Sequence, residues 1–140
     1  MSSVGEVRTK VKLSNPYDEL RARHGEIPAA QVRTYEADAM IDSGAVRTII
    51  PVAVFDRLGL ETQRTAVAEY ADGRKDAVRL TDGLRIEILG RDTFDEALVL
   101  GDEVLIGQTV LEKLDLWIDC HNRRLIPNPA HPDQPVSKVK

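Results

Sequence analysis

Glu36-Ala37-Asp38-Ala39-Met40-Ile41-Asp42-Ser43-Gly44-Ala45 is the stretch on which the reading of this chain turns. Ala37, Ala39 and Ile41 fall on one face of an extended segment, and Glu36 and Asp38 fall on the other. That is the period of a half-buried strand, expected over about Gln31–Ile41. Asp42 and Gly44 then signal a tight turn, because aspartate bonds nearby backbone amides and glycine tolerates sharp backbone paths. Apolar residues resume at Thr48-Ile49-Ile50, followed by Pro51-Val52-Ala53-Val54-Phe55-Asp56-Arg57-Leu58-Gly59. This last run predicts a short helix, with Pro51 suited to its first turn and Gly59 to the left-handed residue after its end. Asp42 therefore stands on a loop gripped between two strands and backed by a helix.

Working outward, the same alternation appears at Val7, Thr9, Val11 and Leu13, so a strand is expected from Glu6 to Leu13. Ser14-Asn15-Pro16 breaks it, and Tyr17–Arg23 reads as a short helix or an irregular excursion ended by Gly25 and Pro28. Thr65–Tyr70 is extended, and the Asp-Gly of Ala71-Asp72-Gly73-Arg74 is a strong hairpin signal. Thr81-Asp82-Gly83 makes a further turn before Leu84–Leu89. Strands are also expected at Glu96–Leu100 and Val104–Ile106. After Gly107 a helical turn or two is expected over Thr109–Leu114. Leu116–Asp119 and Arg123–Ile126 flank a turn at His121-Asn122. From Pro127 on, four of the seven prolines and few apolar residues predict an extended or flexible tail. The expected organisation is one β-dominated domain over 1–127 and a Pro-rich tail over 128–140.

Composition narrows the class. At 140 residues the chain suffices for one core. Its 42% hydrophobic and 30% charged residues are those of a soluble globular protein. No run approaches the roughly 18 apolar residues that span a bilayer, so no membrane partner is expected. A formal net charge of -4 argues against a nucleic-acid partner, whose footprint is basic. The lone cysteine excludes an intrachain disulfide framework and fits a reducing compartment. With no apolar leader at the N-terminus, a cytoplasmic location is expected.

The Asp42-Ser43-Gly44 loop, the helix after it, the hairpin at Asp72-Gly73, and Val104-Leu105-Ile106-Gly107 with its following helix occur in a telling order. Together they resemble the retropepsin-like (retroviral-type) aspartic proteases, most closely the bacterial and cyanobacterial members, over Val4 to Pro129. The resemblance implies an all-β, acid-protease half-barrel with one or two short helices, assembled as a C2 homodimer. It implies an aspartic endopeptidase with Asp42, Ser43 and Gly44 as its catalytic loop. Ser43 would tie the two loops together across the dimer axis, and Gly44 would leave room for substrate beside the carboxylate. Ala45, Tyr70, Ala71, Asp72, Gly73, Leu105 and Ile106 would contact the substrate, with the hairpin as a closing flap. Viral members often carry acids where Val46 and Arg47 stand, and a basic residue where Gln108 stands. Viral specificity and dimer details therefore do not transfer.

The chemistry agrees with the pattern. Two carboxyls about 3 Å apart cannot both ionise, so one serves as base toward water and the other as acid toward the carbonyl oxygen. One chain carries one such loop, and a two-fold axis supplies the second. No cofactor is required. His24, His121, His131 and Cys120 lack metal-ligand spacing. Asp119 reads as a turn cap, Trp117 as packing or an interface cover, and Asp18 among the solvated surface acids. Two alternatives remain open from the sequence. One is a retropepsin-like dimer that binds peptides or proteins with little or no turnover. The other is a monomeric β-barrel interaction module in which the triplet is coincidental.

Overall fold

A computed structural model describes residues 6–139. The first five residues of the expected domain, Val4 included, and Lys140 lie outside the described residues. The alternating N-terminal segment forms β1 (Val7–Ser14), with Val7, Val11 and Leu13 buried. It pairs antiparallel with β2 (Thr34–Ile41) in a continuous register from Val7 opposite Ile41 to Ser14 opposite Thr34. The connection between them is ordered by Asn15. Its Oδ1 accepts from the amides of Tyr17 at 2.9 Å and Asp18 at 3.1 Å, capping helix α1 (Pro16–Arg23). Ala29–Gln31 winds into one 3₁₀ turn, so β2 starts three residues later than expected.

Asp18 corrects the expectation of a solvated surface acid. Its carboxylate is buried, receives the Arg33 amide and the Nε and Nη2 donors of the Arg33 guanidinium, and is held below its ordinary pKa by them. A buried carboxylate needs such a partner.

After the Asp42 loop come β3 (Thr48–Ile50) and α2 (Val52–Leu58), which ends at Gly59 with φ +63° as Gly59 led us to expect. The long hairpin of β4 (Thr62–Glu69) and β5 (Lys75–Thr81) turns at Tyr70–Arg74. A second hairpin joins β6 (Leu84–Ile88) to β7 (Arg91–Asp95). Then follow β8 (Ala97–Val99), β9 (Leu105–Ile106), α3 (Gln108–Leu114), β10 (Leu116–Asp119) and β11 (Arg124–Pro127). Strands dominate, as expected, with three short α-helices among the described residues rather than one or two. No described helix is long and apolar enough to cross a membrane.

Nine strands form one sheet in the order β4-β5-β8-β3-β9-β2-β1-β6-β7, and β10 and β11 form a separate hairpin. The two-residue β9 is wedged between the strands that flank the Asp42 loop, parallel to β2 and antiparallel to β3. The core beneath is built from Leu13, Ile50, Leu58, Ile86, Ile106 and Leu114, all fully buried. Trp117 on β10 is 53% exposed, and Asp119 caps the β10–β11 turn through the amide and side chain of Asn122.

Hydrogen bonds cross the division expected after Pro127. Asn128 Nδ2 and the Val136 amide donate to the Asp115 carboxylate, and His131 Nδ1 lies 2.6 Å from it. The buried Arg91 donates to the carbonyls of Leu114, Asp115 and His131.

Candidate active site

The Asp42 loop leaves the sheet at Ile41 and rejoins it at Thr48. Two sets of hydrogen bonds hold it. From the sheet side, the Asp42 amide donates to Ile106 O at 3.0 Å, extending the β2–β9 ladder up to the loop. From the helix side, the first turn of α3 grips the loop's carbonyls. Gln108 N donates to Ala45 O at 2.7 Å, and Thr109 donates to Val46 O through both its amide and its hydroxyl. The loop thus supplies partners for amides that a helix start leaves free.

Within the loop, Asp42 Oδ1 accepts from Gly44 N at 2.9 Å, and Ala45 N donates to Asp42 O. This is the turn chemistry that aspartate favours. Oδ2 makes no hydrogen bond within the described residues, so one oxygen orients the carboxyl and the other stays available. A Cβ on residue 44 would lie 3.2 Å from Asp42 Oδ1. Gly44 is not among the glycines with positive φ, so what favours glycine there is this close approach, which an added carbon would relieve only by shifting the Asp42 carboxylate a few tenths of an ångström.

A second glycine is under tighter constraint. A Cβ on Gly107 would come within 2.5 Å of Arg47 C and 2.6 Å of Arg47 O. The Gly107 amide donates to Thr48 Oγ1, and both groups are buried. Gly107 therefore lets the β9–α3 corner press directly on the loop's return path.

Ser43 and Gly44 are exposed, and Ala45 is half-buried. Leu105 is half-buried, whereas Ile106 is wholly buried in the core and supports the loop from beneath. At the hairpin tip, Tyr70 N donates to Arg74 O, Asp72 Oδ1 accepts from Arg74 N, and Gly73 adopts φ +86°. Ala71, Asp72 and Gly73 are exposed, and the Arg74 guanidinium lies 4.4 Å from the half-buried Tyr70 ring. Gln63, Thr65, Val67 and Glu69 on one face of β4 are exposed, whereas Ala66 and Ala68 on the other are half-buried, and β5 is exposed from Lys75 to Ala77.

Two further sets of contacts complete this arrangement. Thr48 and Thr109 fasten the loop, and Glu96 ties Arg47 of the loop to Arg64 of β4. Their positions after an apolar gap and after a Gly-Gln pair carried no local signal. Among the described residues, no group of three or more His, Cys, Asp or Glu could hold a metal ion. A cleft of about 500 Å³ lined by Asn15, Tyr17, Arg33 and Asp82, and one of about 370 Å³ between Lys10, Glu36 and Glu87, both leave out Asp42.

Strand, Asp-Ser-Gly loop, strand, and a third strand wedged between them form the arrangement that the sequence led us to expect. The model of the family described as "gag-polyprotein putative aspartyl protease" matches residues 29–113, which span the loop, the hairpin and all but the last residue of α3. That is more than half of the chain, and the chain belongs to this family. Among solved structures it is similar to the EIAV protease complexed with an inhibitor, at 20% identity and a TM-score of 0.46, over 55% of this chain and 75% of that one. It is also similar to the simian foamy virus (mac) protease, at 17% identity and a TM-score of 0.47, over 74% and 90% respectively. No curated protein matches the chain.

Proposed function

We propose that this protein is an aspartic endopeptidase that acts as a homodimer and hydrolyses peptide bonds with a water activated by two Asp42 carboxylates, one from each subunit. The observation that carries this reading is the Asp42 loop. A single carboxyl is oriented by Gly44 N on an otherwise exposed loop, within a chain that belongs to a protease family. Val46, an apolar residue on that loop, is 71% exposed in the single chain. An open apolar side chain beside a lone carboxyl fits a surface completed by a second copy.

In the dimer one carboxyl is ionised and its neighbour protonated, because two carboxyls in contact cannot both ionise. The carboxylate takes a proton from water as the water oxygen attacks the peptide carbonyl carbon. The protonated partner gives its proton to the carbonyl oxygen, forming a neutral tetrahedral diol. On collapse the C–N bond breaks, one diol proton returns to a carboxylate, and the leaving nitrogen takes a proton from the other carboxyl. Both groups end in their starting states, without a covalent intermediate or a cofactor. The β4–β5 hairpin serves as the flap that covers the substrate and excludes bulk water. Ala45, Leu105 and the hairpin tip at Tyr70–Gly73 form the contacts to the peptide. A cytoplasmic location is part of the same proposal.

The test is cleavage of a peptide library by the purified protein from acidic to neutral pH, beside an Asp42→Asn variant. Cleavage by the wild type and none by an Asp42→Asn protein that still dimerises is the expected outcome. A folded, dimeric wild type that cuts nothing at any pH would replace this reading with that of a peptide-binding dimer.

A further inference from the structure

The last residue of the loop before β3 is a cation. Arg47 Nη1 lies 3.7 Å from Glu96 Oε1, and Glu96 Oε2 pairs with the Arg64 guanidinium. Three separate elements meet in this contact: the Asp42 loop, the β7–β8 link, and the β4 arm of the hairpin. One carboxylate is shared by two guanidiniums, so the cluster carries one net positive charge. The side chains of Arg47 and Arg64 are 44% and 61% exposed, leaving most of their donors free. Elsewhere on the hairpin the charges are more evenly matched. Glu69 and Lys75 pair, Asp72 accepts from the Arg74 amide, and Asp82 at the far end meets Gln63. Arg79 is stacked on the Phe55 ring at 4.8 Å.

We propose that Arg47 and Arg64 recognise an acidic side chain of the substrate near the bond to be cut, with Glu96 holding their place until the substrate carboxylate arrives. This inference rests on the reading of the loop and hairpin as the two sides of the peptide groove. A guanidinium presents a planar fork of donors that matches a carboxylate, and the Glu96 contact occupies only part of each fork. Because the arginines sit on the loop and on the hairpin, one incoming carboxylate engages both sides of the groove. Closing the hairpin and selecting the substrate then become the same event. The attraction is that of partly exposed charges, so it is modest for each pair and sensitive to salt.

The test uses the full chain carrying Asp42→Asn, so that binding is read without turnover. The probes are two fluorescein-labelled peptides with one apolar centre, flanked by Glu in one and by Lys in the other. By fluorescence anisotropy at about 50 mM NaCl, the Glu peptide is expected to bind about tenfold tighter, the gap narrowing at about 300 mM. Adding Arg47→Glu reverses the order, and adding Glu96→Gln instead tightens the Glu peptide about threefold. Equal affinities, a preference for the Lys peptide, no binding of either, or a preference untouched by Arg47→Glu would each overturn the inference. Cleavage by the wild type separates it from the reading beneath it. Equal cutting of both peptides would sink the acidic preference alone. Preferential binding of the Glu peptide with no cutting would sink the protease reading alone.

Discussion

Replacing Gly107 by alanine adds one methyl group at the place where β9, α3 and the Asp42 loop converge. The Gly107 backbone has φ -92° and ψ 174°, which any residue adopts, so the cost arises entirely from contact. The added carbon would lie 2.5 Å from Arg47 C, 2.6 Å from Arg47 O and 2.8 Å from Val46 O. All three are backbone atoms, so no side chain can swing aside. The loop or the corner must move by about 1 Å to reach ordinary contact distances. That shift strains the Gly107–Thr48, Gln108–Ala45 and Thr109–Val46 hydrogen bonds together. Overpacking of this kind costs about 1–3 kcal/mol, and weakening a buried hydrogen bond adds about 1 kcal/mol, so about 3 kcal/mol is expected. For a domain of this size that lowers Tm by about 10 °C. Gly83→Ala is the internal control, because nothing lies within 4 Å of its added carbon and Gly83 has no positive φ. It should leave Tm unchanged or raise it slightly. Thermal unfolding followed by circular dichroism reads both. A Gly107→Ala protein that melts within about 2 °C of the wild type would refute the claim that this glycine sets the loop's position.

Asn15→Ala removes the α1 cap and also the bond from Asn15 Nδ2 to Leu58 O at 2.8 Å, in a residue only 4% exposed. The expected loss is about 2–3 kcal/mol in urea unfolding, and a loss under about 1 kcal/mol would contradict the role of Asn15 in joining α1 to α2. Asp18 is held below its ordinary pKa chiefly by the Arg33 side chain, so its contribution is present above the unfolded carboxylate value of about 4 and is lost as pH falls through the folded value. Stability measured from pH 6 down to about pH 2 should therefore fall less steeply in Asp18→Asn than in the wild type, and identical slopes would argue against the Asp18–Arg33 pair as an acid-sensitive brace. Asp115 is likewise lowered, first by Asn128, so acidification should release the segment it holds. Hydrogen exchange at the Val136 amide, corrected for the intrinsic effect of pH, should show protection near neutrality that is lost in acid, and constant protection would contradict the anchoring.

Much of the fold was legible because its signals are local. Period-two burial at Ala37, Ala39 and Ile41, Pro51 and Gly59 around α2, and Asp72-Gly73 at the hairpin tip act through their immediate neighbours. β7 was not legible. Arg91-Asp92-Thr93-Phe94-Asp95 shows no apolar alternation, and the turn before it places Leu89 at φ +52°, where asparagine or glycine is usual. The strand exists because β6 pairs with it, and because Arg91 is buried with three carbonyls to receive its donors. Asp18 was misread for a related reason, since its partner lies 15 residues further on. At the site, Asp42 and Gly44 stood out through their setting between two apolar strands. The fastening by Thr48 and Thr109 depends on a contact across some 60 residues, which no local pattern reports. The second carboxyl of the proposed pair belongs to another copy and has no trace within one chain beyond the singleness of the first.

Whether two Asp42 carboxyls from two chains perform one reaction is read by mixing active and inactive subunits. Wild-type protein and Asp42→Asn protein are combined at constant total concentration, allowed to exchange subunits, and assayed for peptide cleavage. If both carboxyls are required, activity follows the square of the wild-type fraction and drops to about one quarter in an equal mixture. Activity that falls only in proportion to that fraction, to about one half, would mean that a single chain carries out the reaction alone and would contradict the account.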